Sequence, residues 1–118
     1  MRGSQLTVYI ANQNHRVGHL PVVEWILDEA KRVGIQGATV VEIAEGVDAN
    51  GKYHAARFFE LAEQSVAVTV VAGDGLIDQL LTQLHEGSIR LFYTRTVIEY
   101  DTLGVDESDE TDGRRSAT

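Results

Sequence analysis

Two β-branched runs constrain this chain more than anything else in it: Gly37-Ala38-Thr39-Val40-Val41-Glu42-Ile43 and Ser65-Val66-Ala67-Val68-Thr69-Val70-Val71. Thr, Val and Ile are stiff at χ1 and pack well on a pleated surface, so both runs read as strands. Neither alternates cleanly between apolar and polar. Val40, Val41 and Ile43 fall on both faces of the first, and Val66, Ala67, Val68, Val70 and Val71 on both faces of the second. A strand with water on one side carries polar residues at alternate positions. These two demand cover on both sides.

The chain has 118 residues, enough for one domain with a real core. Residues 6–11 read as a first strand, with Leu6, Val8 and Ile10 on one face. Residues 12–19 are polar and break it. Pro21 suits the first turn of a helix. Val23, Ile26, Leu27 and Ala30 then recur at helical spacing, with Glu24, Asp28, Glu29, Lys31 and Arg32 outward. Gly34 fits the position just past the helix end, behind cations that suit its C-terminus. Gly37 permits a bend or a close backbone approach into the next strand, which ends at Gly46.

Residues 47–52 form a polar loop, and residues 53–64 are ambiguous between strand and helical turn. After the 65–71 strand, Gly73-Asp74-Gly75 makes a break with Asp74 as N-cap. Leu76, Ile77, Leu80, Leu81 and Leu84 form a helical stripe that Gly87 ends. Residues 88–100 read as a long, bulged last strand. The order is β-α-β-β-α-β, an α+β ferredoxin-like sandwich with an antiparallel sheet. Two helices cover only one face of four strands. The second face therefore meets protein, and self-association with closed cyclic symmetry is the simplest source.

Composition narrows the function. There is no cysteine, which excludes disulfide and thiolate chemistry. No apolar run reaches the roughly 18 residues of a membrane span, and the N-terminus lacks a signal-peptide core, so a cytoplasmic protein is expected. Net charge is −8. That argues against nonspecific nucleic-acid binding. Half of this charge lies in residues 101–118, where six carboxylates face Arg114 and Arg115. This segment reads as a disordered, solubilising tail. Residues 1–4 read as a flexible lead-in to a domain over residues 5–100.

Chemistry-bearing residues are sparse. His15 and His19 have metal-ligand spacing only if helical, and their segment reads as loop. His85 suits a helix C-terminus. Trp25 reads as packing. Glu42 and Glu45 are too isolated for paired-carboxylate catalysis, and no Ser/His/Asp motif is present. No enzyme and no metal site are expected.

Leu6-Thr7-Val8-Tyr9-Ile10, Gly37-Ala38-Thr39-Val40 with Gly46 seven residues beyond Thr39, His54-Ala55-Ala56-Arg57 and the 66–71 strand together resemble the PII-like signalling proteins. The nearest branch is the short one related to carbon-uptake-associated PII-like proteins, and the likeness covers about residues 5–100. It implies a homotrimer with adenine nucleotide (ATP, ADP, AMP or cyclic AMP) in clefts between subunits, and bicarbonate as a further ligand. It implies a regulator whose loop, here about residues 47–57, changes state with the ligand. At family level the regulated partner is a membrane transporter.

Carried over by position, the resemblance places Gly37 and Thr39 at the nucleotide base and Gly46 at the loop base, with His54 and Arg57 beyond it. The Thr39 hydroxyl can donate and accept, as adenine recognition requires. The family's Gly-Asp-Gly-Lys-Ile-Phe phosphate loop corresponds to Gly87-Ser88-Ile89-Arg90-Leu91-Phe92, without its aspartate and without its lysine. Arg90 and Arg95 are candidates to replace the missing charge, since arginine forks suit phosphate. Five apart, they fall on opposite faces of a regular strand unless it bulges. Gly73-Asp74-Gly75 precedes its helix and is not this loop. Tyr53, where some PII proteins carry a modified tyrosine, reads as packing or loop tip. The alternative function is a trimer that binds a small anion such as bicarbonate, or a metal ion, without nucleotide.

Overall fold

The computed structural model describes residues 1–47, 53–55 and 65–104. In chain order its elements are β1 (Arg2–Ile10), β2 (Arg16–Val17), β3 (Leu20–Pro21), α1 (Val22–Val33), β4 (Thr39–Glu42), β5 (Glu45–Val47), β6 (Tyr53–Ala55), β7 (Val66–Ala72), α2 (Asp74–His85) and β8 (Phe92–Glu99). Four strands form one sheet in the order β4-β7-β1-β8, with every neighbouring pair antiparallel. The expected α+β ferredoxin-like arrangement is the one that forms. Among the described residues no helix is long and apolar enough to cross a membrane.

Even-numbered residues of the two central strands face the helices. Leu6, Val8 and Ile10 of β1 and Val66, Val68 and Val70 of β7 are buried against Val22 and Ile26 of α1 and Ile77 and Leu80 of α2. Each such aliphatic side chain contributes about 1.5–3 kcal/mol relative to exposure.

Several expectations need correction. Residues 1–4 are not a flexible lead-in. β1 starts at Arg2, and Gly3 and Ser4 are buried. Without a Cβ, Gly3 admits the Ala72 carbonyl and the Tyr100 ring. The Ser4 hydroxyl donates to Asp74 Oδ1 at 2.6 Å, so its burial leaves no unpaired donor. The Met1 ammonium donates to the Tyr100 carbonyl.

The polar stretch before α1 contains the β2–β3 hairpin, and Pro21 is the N-cap, one residue outside the helix. Glu29 is buried and not outward; its Oε1 accepts from Arg32 one turn on, at 3.3 Å, while Oε2 has no partner. Asp74 is not an N-cap. Gly73 holds that position and Asp74 opens α2, its carboxylate taken by Ser4.

The strand after Gly37 stops at Glu42. Gly46 is no strand end but the middle of β5, paired with His54 of β6. Tyr53 pairs with Val47 there, inside the segment expected as loop. The rest of that loop, residues 48–52 with 56 and 57, lies outside the described residues, as does the acidic segment from 105 onward. β8 is shorter than expected and pairs with β1 without a bulge, from Arg2 opposite Glu99 to Tyr9 opposite Phe92.

Candidate functional site

Register separates the two ends of the sheet. Ile10, Glu42, Val66 and Phe92 lie at or next to one end. That end carries residues 11–19, the start of α1, the β5–β6 hairpin and the turn at residues 86–91. The opposite end carries residues 34–38, the start of α2 and the chain after β8.

Gly37 and Thr39 sit on the sheet edge. α1 ends where Gly34 turns left-handed, at φ 99°, and its N–H bonds back to the Lys31 carbonyl. A second left-handed residue, Gly37 at φ 95°, redirects the chain into β4. A Cβ at Gly37 would meet nothing within 4 Å, so the glycine serves the backbone turn and not a close approach within this chain. Beside it lies a groove of about 550 Å³, lined by Leu27, Ala30, Lys31, Gly34, Ile35, Gln36, Gly37 and Ala38. Thr39 is exposed on edge strand β4.

Thr39 belongs to a hydroxyl row. Cross-strand partners share a face, and Thr39, Thr69, Thr7 and Thr94 pair in sequence across all four strands. Thr7 and Thr69 are joined through their hydroxyls at 2.9 Å. The next row is Val41, Ala67, Tyr9 and Phe92, with the Tyr9 and Phe92 rings 5.6 Å apart. These rows lie on the face away from the helices. No described residue on that face carries a charge, in a chain of net charge −8. Phe92 is 66% exposed and Val41 51%.

Gly87 and Arg90 flank the turn between α2 and β8. A Cβ at Gly87 would overlap the Trp25 ring. Ser88, not Gly87, takes the left-handed conformation, at φ 56°. Arg90 is exposed and precedes β8, so strand alternation does not fix its side relative to Arg95.

Arg95 points to the helix layer. Its Nε donates to Ser4 Oγ at 3.0 Å, Nη1 to Asp78 Oδ1 at 2.6 Å and Nη2 to the Asp74 carbonyl at 3.3 Å. The Asp78 hydrogen bond raises the Arg95 pKa above its ordinary value; desolvation opposes this and the charges of Asp78 and Asp74 reinforce it. Gly46 and His54 face each other across the β5–β6 ladder, and Arg57 is outside the described residues.

One chain does not bring all these residues together. Gly37 lies two residues before Thr39 on one sheet edge, and Phe92 two residues before Thr94 on the other, on opposite sides of the threonine row. Strand rise and spacing put Gly37 and Phe92 about 20 Å apart. Gly46, His54, Gly87 and Arg90 all lie beyond the end of the sheet away from Gly37, Gly46 and His54 after edge strand β4 and Gly87 and Arg90 before the opposite edge strand β8. Sequence reasoning did not find the groove, because Leu27, Ala30 and Lys31 join Gly37 only through the turn at Gly34.

A family model described as DUF190, Uncharacterized ACR, matches residues 3–98. No curated protein matches the chain. Among solved structures, CPII from Thiomonas intermedia K12, described as a nitrogen regulatory PII-like protein bound to ADP, AMP and bicarbonate, superposes with a TM-score of 0.63 at 17% identity, covering 83% of this chain and 87% of that one. A PII-like signaling protein from Thermus thermophilus gives 0.52 at 14% identity, covering 82% and 88%. At these identities the likeness is one of fold.

Proposed function

The chain belongs to the DUF190 family, and from that membership we propose that it is a PII-like regulatory protein whose homotrimer senses adenine nucleotide in clefts between copies. ATP, ADP, AMP or cyclic AMP is the effector, with bicarbonate as a further ligand. The segment at about residues 47–57 passes the bound state to a partner such as a membrane transporter. The protein acts in the cytoplasm, and no catalytic role is assigned to it.

The observation that carries this reading is the separation of Gly37 from the turn at residues 86–91. The groove beside Gly37 and the exposed Thr39 hydroxyl lie on the β4 edge and form one part of a site, while Gly87 and Arg90 precede β8 on the other edge, where Phe92 is about 20 Å from Gly37. A single nucleotide that contacts both halves takes them from different copies. The uncharged sheet face supplies a means of assembly, because copies carrying −8 each associate best through a neutral surface. CPII, which shares the fold, is bound to ADP, AMP and bicarbonate.

Calorimetry with ATP, ADP, AMP, cyclic AMP, adenosine and bicarbonate tests the reading. Binding of an adenine nucleotide supports it. Absence of binding at millimolar concentration overturns it, and bicarbonate binding alone would leave the small-anion function, for which the bicarbonate in CPII is the supporting observation.

A further inference from the structure

We infer that Leu103 of one copy docks in the groove beside Gly37 of the next copy, so that residues 101–104 join the subunits edge to edge. This rests on the homotrimer of the proposed function and names a contact that builds it.

Leu103 is 99% exposed, more than any other large apolar side chain among the described residues. Its segment is turned by Asp101, whose Oδ1 accepts from the Thr102 N–H at 2.8 Å. One exposed leucine is ordinary on a surface. What gives this one a partner is the groove of about 550 Å³ at the same end of the sheet. Leu27, Ala30 and Ile35 make it apolar, Gly34, Gly37 and Ala38 add a wall with no side chain beyond Cβ, and the exposed Lys31 lies beside them.

Topology sets knob and groove on opposite edges. Residues 34–38 lead into β4, residues 100–104 leave β8, and these are the two edge strands. Arg95 of β8 bonds Asp78 of α2, so α2 covers the β8 half and α1 the β4 half. The Trp25 ring meets Gly87 on the α2 side of α1, and helical spacing puts Leu27 and Lys31 on the outer side. Three strand spacings, about 14 Å, separate β4 from β8. With nothing packed on it, Leu103 does not fill the groove of its own chain.

The two edges are complementary. Every neighbouring pair is antiparallel, so β4 and β8 run in opposite directions. Rotation about an axis along the strands keeps the two ends of the sheet where they are. It brings β8 of one copy beside β4 of the next as a further antiparallel pair, with residues 100–104 beside residues 34–38. Such a head-to-tail contact closes into a ring. β8 has neither the Lys, the Pro nor the bulge that ordinarily blunts an exposed edge. Charge agrees, because Asp101 stands two residues before Leu103 and Lys31 lines the groove. A leucine fills only part of the groove and leaves the Gly37 side to the nucleotide.

Cysteine pairing tests the contact, since the chain has no cysteine of its own. The full chain carrying Ala38→Cys and Leu103→Cys, oxidised and run on a non-reducing gel, should pass mostly into covalent trimer, because a disulfide forms only where Cα atoms come within about 7 Å. Neither single variant should do so. Leu103→Asp should raise the dissociation constant of the assembly about tenfold or more and leave the circular dichroism of the chain unchanged. Lys31→Asp should weaken the assembly, and Asp101→Lys in the same chain should restore part of it. A wild type of trimer mass, with no crosslink in the double variant and unchanged assembly in Leu103→Asp, overturns the inference while the homotrimer stands. A disulfide formed within one chain overturns it too, as do covalent dimers from Leu103→Cys alone. A monomeric wild type overturns the inference and the homotrimer together. Calorimetry of the wild type with ADP decides the nucleotide reading separately.

Discussion

Gly87 lies against the indole of Trp25 so closely that a Cβ at position 87 would overlap the ring. The contact joins the turn after α2 to the first turns of α1. It also divides two roles that a helix-ending glycine ordinarily combines, because the left-handed residue is Ser88.

Gly87→Ala should therefore destabilise the fold by overpacking, by about 1–3 kcal/mol. For a domain of this size each kcal/mol lowers Tm by roughly 4–8 °C. Thermal melts of Gly87→Ala, Trp25→Phe and the double variant check the cause. The smaller ring should relieve the clash, so the double variant should be more stable than the two single effects predict in sum. Strict additivity would mean that Gly87 matters for its backbone alone.

Ser4 makes a parallel case on the other end of the sheet. Its hydroxyl donates to Asp74 and accepts from Arg95, linking β1, α2 and β8. Ser4→Ala should cost about 1 kcal/mol, since the two partners it leaves are partly exposed and regain water. Denaturant unfolding measures this. A variant as stable as wild type would show that Arg95 and Asp78 hold the junction without Ser4.

How much of this was legible before folding depends on range. The alternation of Leu6, Val8 and Ile10, the stripe through α2 and the stop at Gly34 are local patterns, and they gave the order of the main elements correctly. Strands β2, β3, β5 and β6 have two or three residues each, too short for any periodicity to register. Ser4 looked like a flexible end because the partner that permits its burial is 70 residues away. Glu29 looked solvated because its spacing is that of the outer face, and only the packed helix shows it buried beside Arg32. The site suffered most. Gly37 and Thr39 were legible as a motif, but their distance from Gly87 and Arg90 follows from register, which the sequence leaves open.

The uncharged sheet face predicts self-association. Light scattering at micromolar concentration should give a trimer of the 13.0 kDa chain. Phe92→Glu places a charge in the Val41–Ala67–Tyr9–Phe92 row, at a position 66% exposed in the single chain. It should leave the monomer fold intact by circular dichroism and dissociate the assembly. A wild-type monomer would overturn the self-association, and a Phe92→Glu variant that still assembles would place the interface elsewhere.

Thr39→Val separates the two roles of the hydroxyl row. Thr7 and Thr69 bond each other, whereas Thr39 is exposed at the edge of β4. Valine keeps the shape and strand propensity of threonine, so removing the Thr39 hydroxyl should leave Tm within about 1 °C. At the proposed site the same hydroxyl meets the nucleotide base, and leaving a buried ligand group unpaired costs about 1–3 kcal/mol. Adenine nucleotide affinity should then fall about tenfold or more, for adenosine as much as for ADP, because the loss is at the base. If Thr39→Val lowers Tm sharply and leaves affinity unchanged, Thr39 belongs to the sheet and not to the site.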